Sequence, residues 1–342
     1  MIAAWILFVG FVGVLLALDL GVFHRRAHAV GFREALGWSA VWATLGLAFS
    51  GVVFVCYEHK LWGIGTLVDP VDGSVNDGAA AVGKYLTGYV VEKSLSIDNV
   101  FVIATIFSAL AVPAALQHRV LFWGVIGALA MRAGMILVGA RMIAEFRWLL
   151  PLFAVVLIAT AVKMLLSGES HWDPRQSRLL RWLRRWLPIV DEYRGDSFVV
   201  RAASAAGPAV AFTPLAVALV LVEGADLVFA VDSIPEIFAI TADPFLVFTS
   251  NVFAMLGLRS LYFALAGMVD RFRYLKPALA VVLMVVGGKL LAAEQLHEFL
   301  GGSVNVVLLS AVAGIIAAGI VASLVAERRS RSERRVVPAG VQ

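Results

Sequence analysis

The hydrophobic positions of this chain fall into nine long runs separated by polar segments, at residues 2–22, 35–56, 86–112, 120–140, 149–166, 209–240, 245–268, 275–291 and 304–325. A membrane-spanning helix needs roughly 20 mostly apolar residues, so we predict about nine transmembrane helices. The sixth run would be about 48 Å long at the helical rise. Because this exceeds the roughly 30 Å of hydrocarbon in a bilayer, we predict a break near Pro235, which lacks a backbone N–H.

The overall composition supports a membrane protein. Hydrophobic residues make up 61% of the chain and charged residues 15%, and the mean hydropathy is +0.89. Soluble domains carry about 25% charged residues. The single cysteine, Cys56, excludes an internal disulfide or a cysteine-based metal cluster.

The charged loops indicate the orientation of the spans. Basic residues gather after the first, fifth, seventh and ninth runs, most densely between residues 175 and 201, and acidic residues gather on the opposite side. Arg141 and Arg147 run against this pattern. Because basic loops stay in the cytoplasm, we predict a multi-pass protein of the cytoplasmic membrane with its N-terminus outside and its C-terminus inside.

The resulting domain layout is a series of membrane units and loops. It comprises two first helices (1–57), an extracytoplasmic loop (58–85), a first three-span unit (86–167), a basic cytoplasmic loop (168–208), a second three-span unit (209–293), a ninth helix (294–326) and a basic tail (327–342).

The two three-span units resemble each other. Residues 146–166 align without a gap on residues 272–292 and are identical at ten of 21 positions. Upstream, Arg132 falls opposite Arg259, and Asp98 opposite Asp226. Because three spans is an odd number, the second unit must enter the membrane from the other side. We therefore predict an all-α fold with an inverted 3+3 repeat, a plan that recurs in secondary transporters with a site at mid-membrane.

Acidic residues interrupt the first run of each unit. Glu223, Asp226, Asp232 and Glu236 lie in the sixth run, and Glu92 and Asp98 in the third. An acid at the bilayer centre costs from about 2.5 kcal/mol upward and is by default a candidate functional residue. Such acids on two equivalent helices indicate a cation site.

The residue types favour a hard divalent cation. Oxygen ligands suit Mn²⁺, Mg²⁺ or Ca²⁺, and these spans contain no histidine that would favour zinc. The candidate metal ligands are Glu92, Asp98, Asn99, Glu223, Asp226, Asp232 and Asn251. Asn251 is equally a candidate for a hydrogen bond between helices.

Two other interpretations remain open for the acids. They could pair with Arg132, Arg259 and Lys93, but six acids face only these three bases, which leaves an excess of negative charge. They could also carry protons, since buried carboxylates hold protons more tightly than exposed ones. Asp19 and Glu236 are candidate pathway residues, although Asp19 could equally pair with neighbouring arginines. Lys163 and Lys289 are expected to reach toward the headgroups.

The segment from Arg178 to Leu187 alternates arginine with leucine and tryptophan at helical spacing. This pattern predicts an amphipathic helix on the inner membrane surface. Protein partners at this arginine-rich loop are an alternative, and we expect no nucleic acid. The chain lacks GxSxG, HExxH and GxxxxGK[ST] motifs, so we expect neither an enzyme nor a bound cofactor.

Several of these stretches resemble the TerC family of integral membrane proteins. They include LALDLGVFHRRAHAV, EKSLSIDNVFVI and EGADLVFAVDSIPEIFAI. The resemblance implies a LysE-like transporter architecture, manganese export as the activity of several members, and intramembrane acids at Glu92, Asp98, Glu223, Asp226 and Asp232. Glu236 stands where a small residue is expected. The resulting hypothesis is a Mn²⁺ exporter that exchanges the metal for protons. The alternatives are a tellurium-resistance component and a membrane scaffold or insertion partner.

Overall fold

The computed structural model describes residues 1–21, 31–146, 148–166, 174, 177–190, 192–204, 207–265, 274–300 and 303–336. The helices are α1 (Ile2–Gly21), α2 (Phe32–Glu58), α3 (Gly78–Ala109), α4 (Ala114–Glu145), α5 (Leu149–Leu166), α6 (Arg178–Trp186), α7 (Pro214–Ile240), α8 (Pro244–Leu256), α9 (Leu258–Leu265), α10 (Leu275–Leu291), α11 (Ala293–Leu300) and α12 (Val304–Val336). A short 3₁₀ helix covers Leu61–Gly63, and β1 (Val199–Ser204) pairs antiparallel with β2 (Gly207–Phe212).

In the part of the chain that the structure describes, each predicted apolar run lies largely in helix. Within the described residues, six helical segments are long and apolar enough to cross a membrane. Helices satisfy all their interior backbone hydrogen bonds without water, which is the condition for crossing a bilayer. The all-α polytopic fold is therefore confirmed, while the number of spans and the inverted repeat stay predictions.

The predicted break at Pro235 is wrong, because α7 runs unbroken from Pro214 to Ile240 with Pro235 inside it. The sixth run is shortened at its other end instead. Residues 207–212 form β2 of a hairpin that we did not predict. Pro214 then opens the helix, where its missing N–H costs no hydrogen bond.

The seventh run, not the sixth, is interrupted. Helix α8 ends at Leu256 and α9 begins at Leu258. A Cβ at the intervening Gly257 would lie 2.7 Å from Lys93 Nζ. Lys93 Nζ in turn donates a hydrogen bond of 3.2 Å to the carbonyl of Ala254. The lysine of α3 thus binds the carbonyl end of α8 at the break.

The packing centres on α3 and α7, which contact each other. Helices at equivalent positions of the predicted repeat pack in pairs: α3 on α7, α4 on α8, and α5 on α10. A twofold relation between the units requires contacts of this kind. Helix α6 is also present, as predicted; it buries Leu180 and Leu183 and contacts α7.

The loop between α2 and α3 folds back onto the helix ends around a buried lysine. Lys84 Nζ lies 2.9 Å from an Asp69 oxygen, 2.7 Å from an Asp72 oxygen and 2.6 Å from Asn76 Oδ1. Asp69 also accepts hydrogen bonds from Thr241 Oγ1 and from the backbone N–H of Ala242, just beyond α7. We call Lys84, Asp69, Asp72 and Asn76 the Lys84 cluster.

Candidate functional site

A second buried cation lies at the contact of four helices. Arg132 of α4 is 1% exposed. Its Nη1 donates to the Glu92 carboxylate of α3 and, at 2.8 Å, to Asn251 Oδ1 of α8. Its Nε and Nη2 lie 3.5 and 3.4 Å from the two Asp226 oxygens of α7. Nη1 also lies 3.5 Å from Ser233 Oγ. We call Arg132, Glu92, Asp226, Asn251, Ser233 and Asn99 the Arg132 cluster.

Helical spacing explains which residues join this cluster. Glu92 and Asn99 are seven residues apart on α3, and Asp226 and Ser233 are seven apart on α7, so each pair shares one helix face. Asn251 donates its Nδ2 to Val247 of its own helix at 3.2 Å. This bond turns the Asn251 oxygen toward Arg132.

The cluster is incompletely satisfied. One guanidinium faces the two carboxylates of Glu92 and Asp226, which leaves a formal charge of −1. Asn99 is 4% exposed and donates to an Asp226 oxygen at 3.4 Å. Its own Oδ1 has no hydrogen-bond partner among the described residues. An unsatisfied buried acceptor costs about 1–3 kcal/mol, so this oxygen favours a water or a cation beside it.

A cavity of about 340 Å³ adjoins the Arg132 cluster. It extends between α3, α5, α7 and α10. The charged and polar side chains that line it are Glu92, Asp98, Asn99, Arg132, Thr160, Lys163, Ser233, Glu236 and Lys276. Three acids and three bases therefore line the cavity.

This lining changes the set of bases that face the buried acids. We had counted Lys93 among the bases facing the acids, but Lys93 bonds to Ala254 near the break between α8 and α9. Lys163 and Lys276 line the cavity in its place. Lys289, expected to reach the headgroups, is 6% exposed and donates to the Ala239 carbonyl at 3.2 Å. The sequence could not reveal these positions, because they depend on how α5 and α10 pack against α3 and α7.

Only some of the predicted site residues come together. Asp98 lines the cavity on the adjacent face of α3. Glu223 packs against α4, where a Cβ at Gly127 would lie 2.0 Å from its Oε1. Arg259 is buried in α9, and Glu236 is buried at the cavity. The side chains of Asp19 and Asp232 lie outside the described residues.

Ser233 is the cluster member that sequence analysis missed. Its spacing of two helical turns from Asp226 was a usable signal. Among the described side chains, no group of three or more His, Cys, Asp or Glu residues is arranged to hold a metal ion. The Arg132 guanidinium instead lies between Glu92 and Asp226.

These features define a polytopic integral membrane protein with a buried charged site beside a cavity. The chain belongs to the integral membrane protein TerC family, whose model matches residues 77–331. The resemblance drawn from the sequence is thereby confirmed.

Relatives match over nearly the whole chain. An "Uncharacterized membrane protein STKORF319" of Myxococcus xanthus is 47% identical over 326 residues, covering 95% of this chain and 93% of the relative. The "Putative membrane-bound redox modulator Alx" of Escherichia coli K12 is 44% identical over 297 residues, covering 86% and 88%. An "Uncharacterized membrane protein" of Rickettsia bellii is 38% identical over 322 residues, covering 93% and 99%. No solved structure matches.

Proposed function

We propose that the protein exports a divalent metal cation, with Mn²⁺ as the preferred cargo, through the Arg132 cluster. The observation that carries the proposal is the meeting of two buried carboxylates, Glu92 and Asp226, from equivalent helices. An unpartnered Asn99 oxygen and a cavity of about 340 Å³ lie beside them. The family resemblance, which implies manganese export in several members, supports the same cargo.

In this proposal, Arg132 acts as an internal counter-ion. When no metal is bound, its guanidinium neutralises one of the two carboxylate charges. A divalent cation that displaced it would meet a charge of −2, which matches its own charge. The oxygens available are those of Glu92, Asp226, Asn99, Asn251 and Ser233, and all are hard ligands of the kind that Mn²⁺ accepts. When the metal leaves, the Arg132 side chain returns, so that the two carboxylates are not left without a counter-ion.

Proton exchange completes the export cycle that we propose. Asp98 lines the same cavity as Glu92, and a buried carboxylate there can take up a proton as the metal departs. We expect no bound cofactor and no catalytic role. The chain has only one cysteine, Cys56, so it cannot form an intramolecular dithiol. Any effect on redox balance, such as the Alx description names, would act through the concentration of a redox-active metal.

Transport into everted membrane vesicles tests the proposal. Glu92→Gln and Asp226→Asn each remove one charge of the cluster, and we expect both to lower Mn²⁺ uptake at least tenfold because the cation loses a charged ligand. Asp196→Asn is the matched control, since Asp196 pairs with Arg119 on the surface. Wild-type uptake in both cluster variants, with equal amounts in the membrane, contradicts a cation site here.

A second candidate function rests on the bases of the cavity. Arg132, Lys163 and Lys276 could bind an oxyanion, as a direct role in tellurium resistance would require. Growth on tellurite separates the two functions: Lys163→Gln and Lys276→Gln would abolish resistance while leaving Mn²⁺ uptake intact. A scaffold role instead predicts that removing the arginines of α6 abolishes the protein's effect in cells while Mn²⁺ uptake by vesicles is unchanged.

A further inference from the structure

Helix α6 presents an outward face of unusual composition. Its inward side chains, Leu180 and Leu183, are each 3% exposed. The opposite side carries two tryptophans, Trp182 at 57% and Trp186 at 66% exposure. Arginines accompany them, and the exposed side chains of the helix are Arg178, Arg181, Trp182, Arg184, Arg185 and Trp186. Of these, Arg184 follows Leu180 by one turn and lies at the border with the inward side. We call these six residues the α6 face.

The arginines of the α6 face have no acidic partners among the residues that the structure describes. No described carboxylate forms a salt bridge with any of the four. The face therefore carries a formal charge of +4 on nine helical residues. Tryptophan is enriched at the boundary between lipid and water, and a basic, aromatic helix face is typical of helices that lie in the headgroup layer of anionic membranes.

The position of α6 along α7 agrees with that depth. Helix α7 has 27 residues and is about 40 Å long, roughly 10 Å longer than the hydrocarbon core. Leu179 of α6 lies against Gly224, where a Cβ would be 2.8 Å from Leu179 Cδ2. Gly224 is about 15 Å from the start of α7. Leu180 and Arg184 border the same cavity as Pro214 and Val217 in the first turn of α7. Helix α6 therefore lies beside the start of α7, and its Leu179 side chain reaches to a level inside the hydrocarbon.

A cavity of about 380 Å³ lies beside α6. Apolar residues such as Leu110, Leu180, Ile189 and Val217 line it together with one charged residue, Arg184, and polar atoms form a large share of its surface. The other polar group, Tyr193 OH, donates to the Leu110 carbonyl at 2.8 Å. A cavity with both apolar side chains and polar atoms on its walls, and with one cation, fits an amphiphile with a negative head and a polar glycerol region.

We infer that α6 and this cavity form a binding site for an anionic phospholipid. The lipid phosphate contacts Arg184, the glycerol and upper acyl chain enter the cavity, and the other arginines of the α6 face bind neighbouring headgroups. Trp182 and Trp186 lie at the level of the glycerol backbone. This site does not depend on the cargo of the Arg132 cluster.

Quenching of tryptophan fluorescence by brominated lipids tests the site in the purified full chain. The probes are brominated phosphatidylglycerol and brominated phosphatidylcholine in mixed micelles. One variant carries glutamine at Arg178, Arg181, Arg184 and Arg185, and the matched control carries glutamine at Arg328, Arg329, Arg331 and Arg334 of the tail. The double variant Trp182→Phe, Trp186→Phe assigns the quenching to α6.

We expect phosphatidylglycerol to bind the wild type and the tail variant at least tenfold more tightly than phosphatidylcholine. The α6 variant should lose this preference, since each arginine near an anionic surface contributes about a fivefold gain. Equal preference in the two arginine variants overturns the proposal. Displacement of the lipid by millimolar glycerol phosphate would show a site for soluble phosphates. Unchanged lipid binding in the α6 variant together with loss of a bound protein would show a protein interface. Either result also overturns the proposal of a lipid site.

Discussion

The Lys84 and Arg132 clusters have the same composition and opposite character. Each places one buried basic side chain against two carboxylates and one asparagine oxygen. Each therefore carries a formal charge of −1. Their differences lie in where the partners come from, in how closely those partners approach the base and in the space beside them.

The Lys84 cluster is local and closely bonded, although Asn76 Nδ2 has no hydrogen-bond partner among the described residues. Its acids and its asparagine precede the lysine by at most 15 residues. Asp69 accepts further hydrogen bonds from the N–H groups of Val71 and Ala242. Burial acts to raise the pKa of Asp69, but the charge of Lys84 and the bonds from Lys84 and Thr241 outweigh it and hold that pKa below its ordinary value. These contacts join the loop to the ends of α3 and α7.

The Arg132 cluster is assembled from four helices and is looser. Both bonds from Arg132 to Asp226 are 3.4 Å or longer, and the Asn99 oxygen is unmatched within the described part of the chain. A cavity adjoins it. The comparison teaches that composition does not separate a structural ion pair from an exchangeable one. The lengths of the bonds to the base and the space beside the charges do.

The largest effect is expected from Lys84→Met, which leaves Asp69 and Asp72 without their cation. Removing one partner of a buried ion pair costs about 3–5 kcal/mol, and the loop contacts of α7 should be lost with it. Denaturant unfolding in detergent measures the change, with exposed Lys60→Met as the control. A loss no greater than that of the control would mean that the Lys84 cluster does not stabilise the fold.

The variant Arg132→Gln separates the two clusters, because we expect bound Mn²⁺ to restore its stability. The two freed acids should bind Mn²⁺ at least tenfold more tightly than in the wild type, while uptake into vesicles falls at least tenfold because no counter-ion helps release it. Thermal unfolding with and without Mn²⁺ measures the binding, and Lys84→Met serves as the contrasting variant. Stabilisation of both variants by Mn²⁺ to the same extent would remove the distinction between the clusters.

A third base, the half-buried Lys93, donates to the carbonyl of Ala254 and should matter less. Gly257→Ala places a Cβ 2.7 Å from Lys93 Nζ, so the bond to Ala254 must lengthen. We expect a loss of about 1–2 kcal/mol, the scale of one buried hydrogen bond. Gly288→Ala is the control, since nothing lies within 4 Å of its added Cβ. Equal stability of the two variants would show that the break tolerates a side chain.

The smallest effect is the acid dependence of stability caused by Asp69. Because the pKa of Asp69 is lowered in the folded state, its stabilisation is fully present above the ordinary value of 3.8. It is lost as the pH falls through the lower folded-state value. The stability difference between wild type and Asp69→Asn, measured by unfolding at several pH values, should therefore shrink in acid. A difference that grows toward low pH would reverse the assigned sign.

The sequence was sufficient for the all-α membrane architecture, because a run of apolar residues has no stable place except a bilayer or a core. It also predicted α6 from the spacing of arginine, leucine and tryptophan, and it singled out Glu92, Asp226, Asn251 and Arg132. These residues were recognisable because charged and amide groups are costly among apolar neighbours. Local patterns were less reliable for helix ends: the effect of Pro235 was overestimated, and the hairpin before Pro214 was not predicted.

What only the tertiary structure decided is which charges meet. The sequence determined that acids lie within apolar helices and that a few bases accompany them. Packing decided that Arg132 lies between Glu92 and Asp226, that Lys163 and Lys276 line the cavity while Lys93 turns to the break at Gly257, and that Lys84 and Lys289 are buried. The physical reason is that the energy of a buried charge depends on the distance and direction of its partners, and residues far apart in the chain acquire these only when the helices pack.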